Sequence, residues 1–288
     1  MARSDISITT PPAPPDMTPR CQTRRRTPWL QAMGYSSFDW THLELPLPDL
    51  PNELAGLRLV QVSDLHLHRQ WEKGLQLLLD ELAADPPDLV LLTGDLVEDK
   101  RDHRPAMPLV KRFLQGLSSR RGVYSILGNH DNFRLGAEMA GLGVHLLDGK
   151  REVVTVAGAE LELIGLPGLQ RFHLPADFCS RFAPKQPGRP RIVLGHFPDH
   201  LTRTHALEAD VYLAGHTHGG QICGPGGWAI MRHDSMHRRY CKGVHRYGNT
   251  WLVVSRGMGF SKIPVRMFCP PEAIEISLRR AQATRHKA

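Results

Sequence analysis

Five short apolar runs, rich in Val, Leu and Ile, are spaced along the middle of the chain. An unbroken run of this kind is typical of a strand that is buried on both faces of a sheet. The runs read LRLVQVSD, DLVLLTGD, VYSILGNH, RIVLGH and DVYLAGH, and they begin at Leu57, Asp88, Val123, Arg191 and Asp210. Each run ends in Asp or His, so the pattern predicts five strands of a buried sheet that deliver polar side chains to one edge.

The segments between the first three runs have the spacing of amphipathic helices. Trp71–Ala84 places leucines along one side, and Met107–Leu117 predicts a second helix. The order strand, helix, strand, helix, strand is a βαβαβ unit. Right-handed crossovers make the strands of such a unit parallel.

The pattern changes after His130. A short helix is predicted over Phe133–Gly141, followed by three strands with Gly-containing turns, which favour an antiparallel meander. These three strands are predicted at His145–Leu147, Glu152–Val156 and Leu161–Gly165. Further strands are predicted at Arg191–His196, Asp210–His216, Thr250–Ser255 and Ala273–Leu278, with an edge strand at Phe38–Leu47 that is limited by prolines.

Residues 37–282 are predicted to form one domain, because no internal repeat or linker divides them. Residues 1–36 are rich in Pro, Thr and Arg, so a disordered lead-in is expected there, and residues 283–288 form a basic tail. The segment 167–190 has no clear period, and a segment of this kind is either functional or disordered. Within it, Phe172 and Phe178 are candidates to cover an acyl chain or a base, with simple packing as the alternative.

Composition changes this picture little. The 288 residues are 41% hydrophobic and 23% charged, as in an ordinary globular protein. A net charge of +7 favours an anionic partner, although part of the charge lies in the terminal segments. Five cysteines without a CxxC pair argue against a disulfide framework. The residues after Arg24–Arg26 lack the apolar region of an export signal, so a cytoplasmic location is expected.

The polar residues that end the five runs carry the chemistry. Asp and His together bind divalent transition metals, and the N/O ligand set fits Mn, Fe or Zn. Asp64 and His66 are two residues apart, so in an extended strand they would point the same way into one metal site. Asp95 can bridge two cations. The remaining candidate ligands are Asn129, His196 and His216 for a second metal, and His218, which can turn back to the first.

A site with two divalent metal ions is a recurring solution for phosphate ester cleavage. The pattern therefore predicts in-line attack of a metal-bridging hydroxide on phosphorus. His130 is adjacent to a ligand but is not needed as one, so it is the candidate proton donor for the leaving group. Asp131 is the candidate group that orients the His130 ring. Each block alone is a weak signal, and the prediction depends on finding all five in one order.

The blocks DxH, GD, GNHD, GH and GHxH resemble the pattern of the calcineurin-like metallophosphoesterase superfamily, over roughly Leu57 to Leu278. The resemblance implies a four-layer α/β/β/α sandwich of two mixed β-sheets flanked by helices. It implies that Asp64, His66, Asp95 and His218 hold one metal, and that Asp95, Asn129, His196 and His216 hold the other. It also implies a role for His130 at the leaving group. These implied roles are expectations.

Two further blocks, GHTHGGQ from Gly215 and SRGMG from Ser255, look like the bacterial branch of membrane-associated phosphodiesterases. Some relatives in that branch hydrolyse the pyrophosphate of UDP-2,3-diacylglucosamine. The resemblance therefore implies a phosphorylated small-molecule or lipid-linked substrate. Arg256 is a candidate to present its guanidinium group to a phosphate, with a structural role as the alternative.

Three alternatives stay open at this stage. A nuclease or a cyclic-nucleotide phosphodiesterase could use the same site, but the basic residues are dispersed, which argues against a nucleic acid partner. A non-catalytic metal-binding scaffold would be expected to lack a ligand or His130, and none is missing. A weak peripheral contact with the inner membrane through Arg20, Arg24–Arg26, Trp29 and Leu30 competes with an ordinary solvated tail.

Overall fold

The computed structural model describes residues 15–24, 27–169, 174–230 and 238–283. In chain order the strands are β1 (Pro15–Asp16), β2 (Arg20–Arg24), β3 (Leu30–Ala32), β4 (Asp39–Leu47), β5 (Arg58–Val62), β6 (Leu89–Leu92), β7 (Val123–Ser125), β8 (His145–Leu146), β9 (Arg151–Val156), β10 (Ala159–Gly165), β11 (Arg191–Leu194), β12 (Val211–Ala214), β13 (Gly243–Tyr247), β14 (Thr250–Val254), β15 (Val265–Met267), β16 (Glu272–Arg280) and β17 (Gln282–Ala283). The α-helices are α1 (Lys73–Ala84), α2 (Met107–Gly116) and α3 (Phe133–Gly141).

The first large sheet contains the predicted βαβαβ unit. Its strand order is β2-β4-β16-β5-β6-β7-β8, and β5, β6 and β7 are parallel neighbours. The helices α1 and α2 connect these three strands, which confirms the prediction made from the alternating patterns. No helix in the described ranges is long and apolar enough to cross a membrane.

The second large sheet contains the last two apolar runs. Its order is β13-β14-β12-β11-β10-β9, with β10, β11, β12 and β14 parallel and an antiparallel strand at each edge. The five runs are therefore divided between two sheets, three in one and two in the other. A single buried sheet was predicted from the runs alone, and that prediction is wrong.

The two large sheets pack face to face. Leucines of β4, β5 and β6 meet Leu161, Leu163, Ile192 and Leu213 of the second sheet in one buried cluster. The three α-helices cover the outer face of the first sheet, where Leu75, Leu78, Val110 and Phe113 are buried. The outer face of the second sheet is covered by short 3-10 segments, which bury Leu201 and Leu207 beside Phe178. The prediction of a mixed α/β fold with two mixed sheets and helices is confirmed.

The N-terminal region differs from the expected disordered lead-in. Strand β2 pairs with β4, and β3 pairs with β15. Because β2 lies outside β4, the strand expected at the edge is an interior one. Residues 20–24 and 30–32 have no strong apolar period, since neither strand is buried on both faces, and this is why their sequence resembled a flexible segment. Arg25, Arg26 and residues 284–288 lie outside the described residues.

Two other predictions need correction. Strand β8 is parallel to β7 in the first sheet, so it is not the first strand of a meander. Only β9 and β10 form the expected antiparallel pair. Phe178 is buried in the core of the outer layer, which supports the packing alternative, whereas Phe172 lies outside the described residues.

Candidate metal centre

Each candidate ligand lies in the loop that follows one of the five predicted strands. The loops after β5, β6 and β7 come from one sheet, and those after β11 and β12 come from the other. They meet around a pocket of about 290 Å³, which is lined by Asp95, Asn129, His130, Phe197, His216, His218, Ser261 and Lys262. Two larger hollows, of about 640 and 550 Å³, contain none of the candidate ligands among their lining residues. Four of the seven candidate metal ligands line the 290 Å³ pocket, and a fifth, His66, lines a hollow of about 310 Å³.

One group of ligand atoms comes from Asp64, His66 and His218. Their ligand atoms lie within 4.8 Å of one another, and all three residues are buried. The Nε2 atoms of His66 and His218 are 3.0 Å apart, and an oxygen of Asp64 is 3.6 Å from Nε2 of His218. This spacing places two imidazoles and a carboxylate around one point.

A second group comes from Asp95, His196 and His216, whose ligand atoms also lie within 4.8 Å of one another. Asn129 belongs beside it, because its Oδ1 is 3.1 Å from Nε2 of His196. Asp95 is the link between the two groups. Its Oδ2 is 3.6 Å from Nε2 of His66 and 3.2 Å from Nε2 of His196.

The hydrogen bonds of the rings indicate which nitrogen is free to bind a metal. Nδ1 of His196 donates to the carbonyl oxygen of Thr93 at 2.8 Å, so in the neutral ring Nε2 carries the lone pair. That lone pair faces two oxygen atoms, of Asn129 and Asp95, which are themselves acceptors. An arrangement of three lone pairs is repulsive unless a cation lies between them, so the donor set fits a divalent metal.

The protonation of these groups supports the same conclusion. Burial disfavours the charged ring of His196, but the neighbouring carboxylate of Asp95 raises its pKa to about 9. Burial also opposes the charge on Asp95, but the rings of His196 and His66 hold its pKa below the ordinary value. A proton on the ring thus takes the place that a metal ion would fill, and metal binding would release it.

Most ligands adopt an unusual backbone conformation. Asp64, His66, Asp95, His216 and His218 all have positive φ, between 47° and 67°. This left-handed region costs a residue with a side chain about 1 kcal/mol or more, and such strain is common at functional sites. Asp64 and His66 therefore converge because of a tight loop beyond the end of β5. The extended strand that was expected to align them has already ended at Val62.

Two glycines permit the loops to approach one another. A Cβ atom on Gly128 would lie 2.3 Å from Oδ1 of Asp95, and one on Gly215 would lie 2.3 Å from Oδ2 of Asp64. Any larger residue would displace these carboxylates. The glycines that precede the ligands in the GNHD and GHTH blocks are thus required by the close contact between loops.

His130 lines the pocket, as expected. Its Nδ1 donates to the carbonyl oxygen of Glu98 at 2.7 Å, which leaves Nε2 as the other ring nitrogen. Its ring centroid is 4.8 Å from that of His66, and its ligand atom is close to those of His66 and Asp95. The geometry places His130 beside both groups of ligands.

Asp131 has a different contact from the expected one. Its two carboxylate oxygens accept hydrogen bonds from the backbone N–H groups of Asp95, Leu96, Val97 and Gly128, at 2.8 to 3.3 Å. Burial and the charge of Asp95 raise its pKa to about 7. The expectation that Asp131 orients the His130 ring is wrong, because the Glu98 carbonyl holds that ring. Asp131 instead holds the loop that carries Asp95.

Arg256 is placed outside the pocket. Its guanidinium group forms ion pairs with Glu272 at 2.9 Å and Asp39 at 3.3 Å. Arg266 is fully buried, with a guanidinium nitrogen 3.2 Å from Nδ1 of His218 and further bonds to backbone carbonyl oxygens. Arg266 therefore fixes the loop of His218. Arg256 is paired with two carboxylates of the protein, which supports the structural alternative for this residue.

Sequence reasoning missed three residues of the site. Glu98 accepts a hydrogen bond from Nδ1 of His66 at 2.5 Å, which leaves Nε2 of that ring free for a metal. Ser261 and Lys262 line the pocket from the segment before β15. The sequence signals were weak, since Glu98 lies three residues after Asp95, and Ser261 and Lys262 follow shortly after the SRGMG block.

The geometry of the site agrees with the family to which the chain belongs. The profile of the calcineurin-like phosphoesterase family matches residues 57–220, so the chain is a member of that family. It is a metallophosphoesterase, a metal-binding hydrolase of phosphoric esters.

Three relatives align with most of the chain. The uncharacterized metallophosphoesterase YkuE of Bacillus subtilis is 27% identical, over 80% of this chain and 82% of its own length. Phosphodiesterase YaeI of Escherichia coli is 28% identical, over 85% of this chain and 91% of its own. UDP-2,3-diacylglucosamine pyrophosphatase LpxG of Chlamydia muridarum is 24% identical, over 85% of this chain and 90% of its own.

Proposed function

We propose that the protein hydrolyses a phosphodiester or pyrophosphate bond with two divalent metal ions. The observation that carries this proposal is the position of Asp95, whose Oδ2 is within 3.6 Å of a histidine nitrogen in each group of ligands. Asp95 would therefore serve two cation sites. Asp64, His66 and His218 would complete one of them, and Asn129, His196 and His216 would complete the other.

When bound, two such metals polarise the phosphoryl oxygens and lower the pKa of a coordinated water. The chain's own residues do the rest. His130 is fixed through Nδ1–H on the Glu98 carbonyl, so in the doubly protonated ring Nε2–H is the group that gives its proton to the departing oxygen, which leaves the neutral ring with its proton on Nδ1. Lys262, exposed at the wall of the pocket, supplies a cation for the remaining negative charge of the substrate.

The substrate is proposed to be a phosphodiester or a nucleotide-linked lipid. The similarity to a phosphodiesterase and to a UDP-2,3-diacylglucosamine pyrophosphatase supports this class. The identity of the metals is proposed as Mn, Fe or Zn, which suit mixed carboxylate and imidazole ligands.

The test is hydrolysis of bis-p-nitrophenyl phosphate and p-nitrophenyl phosphate by metal-stripped protein, with Mn, Zn, Fe and Mg restored one at a time. Metal content per chain is measured in parallel. Asp95→Ala should lose metal and turnover together, while His130→Ala should keep its metal and lose turnover. His205→Ala, a change at an exposed histidine outside the pocket, is the matched control and should behave as the wild type.

Each outcome has a definite meaning. Two ions per chain with metal-dependent turnover of the diester would support the proposal, and faster turnover of the monoester would redirect the substrate search. One ion per chain at full activity would overturn the dinuclear site. Two bound ions without turnover of either ester, followed by no hydrolysis of UDP-2,3-diacylglucosamine, would favour a non-catalytic scaffold.

A further inference from the structure

The exposed large hydrophobic side chains of the described residues are concentrated at one place. Six of the eight lie on or beside β3, β15 and the turn that follows His218. They are Trp29, Leu30, Met33, Trp228, Ile230 and Ile263. Contiguous apolar surface of this kind marks an interaction site more often than chance exposure.

These residues belong to one small sheet. Strand β3 is antiparallel to β15, with Leu30 opposite Met267 and Ala32 opposite Val265. Met267 pairs on its other side with Ile222. The residues around Ala229 extend this sheet beyond Ile222. The amide of Ile230 donates to the carbonyl oxygen of Ile222 at 3.3 Å, and Cys223 pairs with Ala229.

The two faces of this sheet have opposite characters, because successive side chains alternate across a strand. Gln31, Arg266, Cys223 and Ala229 are buried on the inner face, where Arg266 contacts the His218 loop. The side chains that alternate with them make up what we call the outer apolar face. Its members are Leu30, Ala32, Ile222, Trp228, Ile230, Val265 and Met267. All seven side chains lack a charge, and apart from the indole N–H of Trp228 they lack a hydrogen-bonding group.

Two lysines lie beside the outer apolar face. Nζ of Lys242 donates to the carbonyl oxygen of Gly227, next to Trp228, and the exposed Lys262 directly precedes Ile263. An apolar surface with lysines at its edge complements a bilayer that carries anionic headgroups. Tryptophan at the rim of such a surface is typical of residues that lie at the membrane interface.

We propose that the outer apolar face docks on the surface of an anionic lipid bilayer. A protein partner is a poorer fit, because protein interfaces carry about one hydrogen bond per 100–200 Å² and this face offers almost no group to make them. Trp29 and Leu30 thus act as part of an ordered sheet, where the sequence alone suggested a solvated tail.

Docking by this face would set the height of the metal centre above the lipid. Ser261 and Lys262 line the metal pocket, and the next residue, Ile263, belongs to the exposed hydrophobic group beside the face. The mouth of the pocket therefore lies near the level of the headgroups. This consequence, access to a phosphate that is attached to a membrane lipid, rests on the proposed function, whereas the docking itself does not.

The test is flotation of the full chain with vesicles of phosphatidylcholine alone and of phosphatidylcholine mixed with phosphatidylglycerol. The wild type should float with the mixed vesicles and less so as salt increases. The triple variant Met33→Ser, Trp228→Ser, Ile230→Ser should show a fall of about tenfold in the bound fraction. Tyr247→Ser, which changes an exposed aromatic residue on β13, is the matched control and should bind as the wild type does.

Two further measurements keep the result unambiguous. Metal-dependent hydrolysis of bis-p-nitrophenyl phosphate without lipid should be equal in the wild type and the triple variant, which shows that the variant is folded and separates docking from catalysis. Absence of wild-type flotation with the mixed vesicles would overturn the proposal. A dimer in sedimentation velocity that the triple variant abolishes, without vesicle binding, would assign the face to a second copy of the chain instead.

Discussion

Asp95 is the residue on which both groups of ligands depend. It lies between the rings of His66 and His196, and its backbone N–H is held by the buried carboxylate of Asp131. Its Oδ1 also accepts a hydrogen bond from the backbone N–H of His130 at 2.8 Å. One side chain therefore connects the ligand groups to the candidate proton donor, which ties the geometry of binding to that of catalysis.

Glu98 is expected to tune metal affinity through His66. Its carboxylate fixes the ring so that Nε2 faces the site, and removing such a partner lowers metal affinity about 10–100-fold in other proteins. We predict a loss of this size for Glu98→Ala, measured by calorimetric titration of metal into stripped protein.

Glu138→Ala provides the control for that measurement. Glu138 accepts a hydrogen bond from the ring of His103 at 3.0 Å, so the same type of contact is removed away from the pocket. Its metal affinity should match that of the wild type. Unchanged affinity in the Glu98 variant would show that the contact with His66 does not matter for binding.

At the scale of elements, the second sheet is held together at the end opposite the site by a buried ion pair. Arg191 begins β11 and Glu162 lies in β10, and both side chains are only 2% exposed. Nε of Arg191 donates to Glu162 at 2.5 Å, and its other nitrogens donate to the carbonyl oxygens of Leu207 and Ala183. This network fixes the start of the strand that ends at His196.

Loss of the carboxylate should leave Arg191 charged and buried without its main partner. We predict that Glu162→Ala lowers the free energy of unfolding by about 3–5 kcal/mol, measured by urea denaturation. Asp102→Ala removes an exposed partner of Arg104 and should leave the free energy unchanged within error. Equal stability of the two variants would contradict the structural role assigned to the buried pair.

At the scale of the whole molecule, the ligand loops join the two sheets. Metal bound between loops of both sheets should stabilise the native state, because the unfolded chain lacks the assembled site. At a free metal concentration about a thousandfold above the dissociation constant, the gain is about 4 kcal/mol. For a domain of this size such a gain corresponds to roughly 10 °C in Tm.

Metal removal is therefore predicted to lower Tm by this amount, measured by differential scanning calorimetry before and after treatment with a chelator. Asp95→Ala, which lacks the carboxylate between the two groups of candidate ligands, should show little response to the chelator. A wild type that binds metal yet melts at the same temperature without it would show that the loops are held in place by the protein alone.

The sequence by itself determined the parts that depend on local pattern. The apolar runs predicted the starts of β5, β6, β7, β11 and β12 within one residue, because a strand buried on both faces leaves a continuous run. The runs extend beyond the strand ends, by five residues for β7, into the loops that carry the candidate ligands. The helix over Phe133–Gly141 was predicted with the bounds that the structure has. The polar blocks after the runs predicted the candidate ligands, and the structure brings these residues together.

Only the tertiary structure decided the rest, since it depends on which segments meet. The partition of five strands into two sheets, the contact of Glu98 with His66, and the bonds of Asp131 to the backbone all join residues whose pairing leaves no periodic mark in the sequence. The outer apolar face is the clearest case. Its residues come from three distant segments, each too short and too mixed to stand out, and they become one surface only when β3, β15 and the turn after His218 pair side by side.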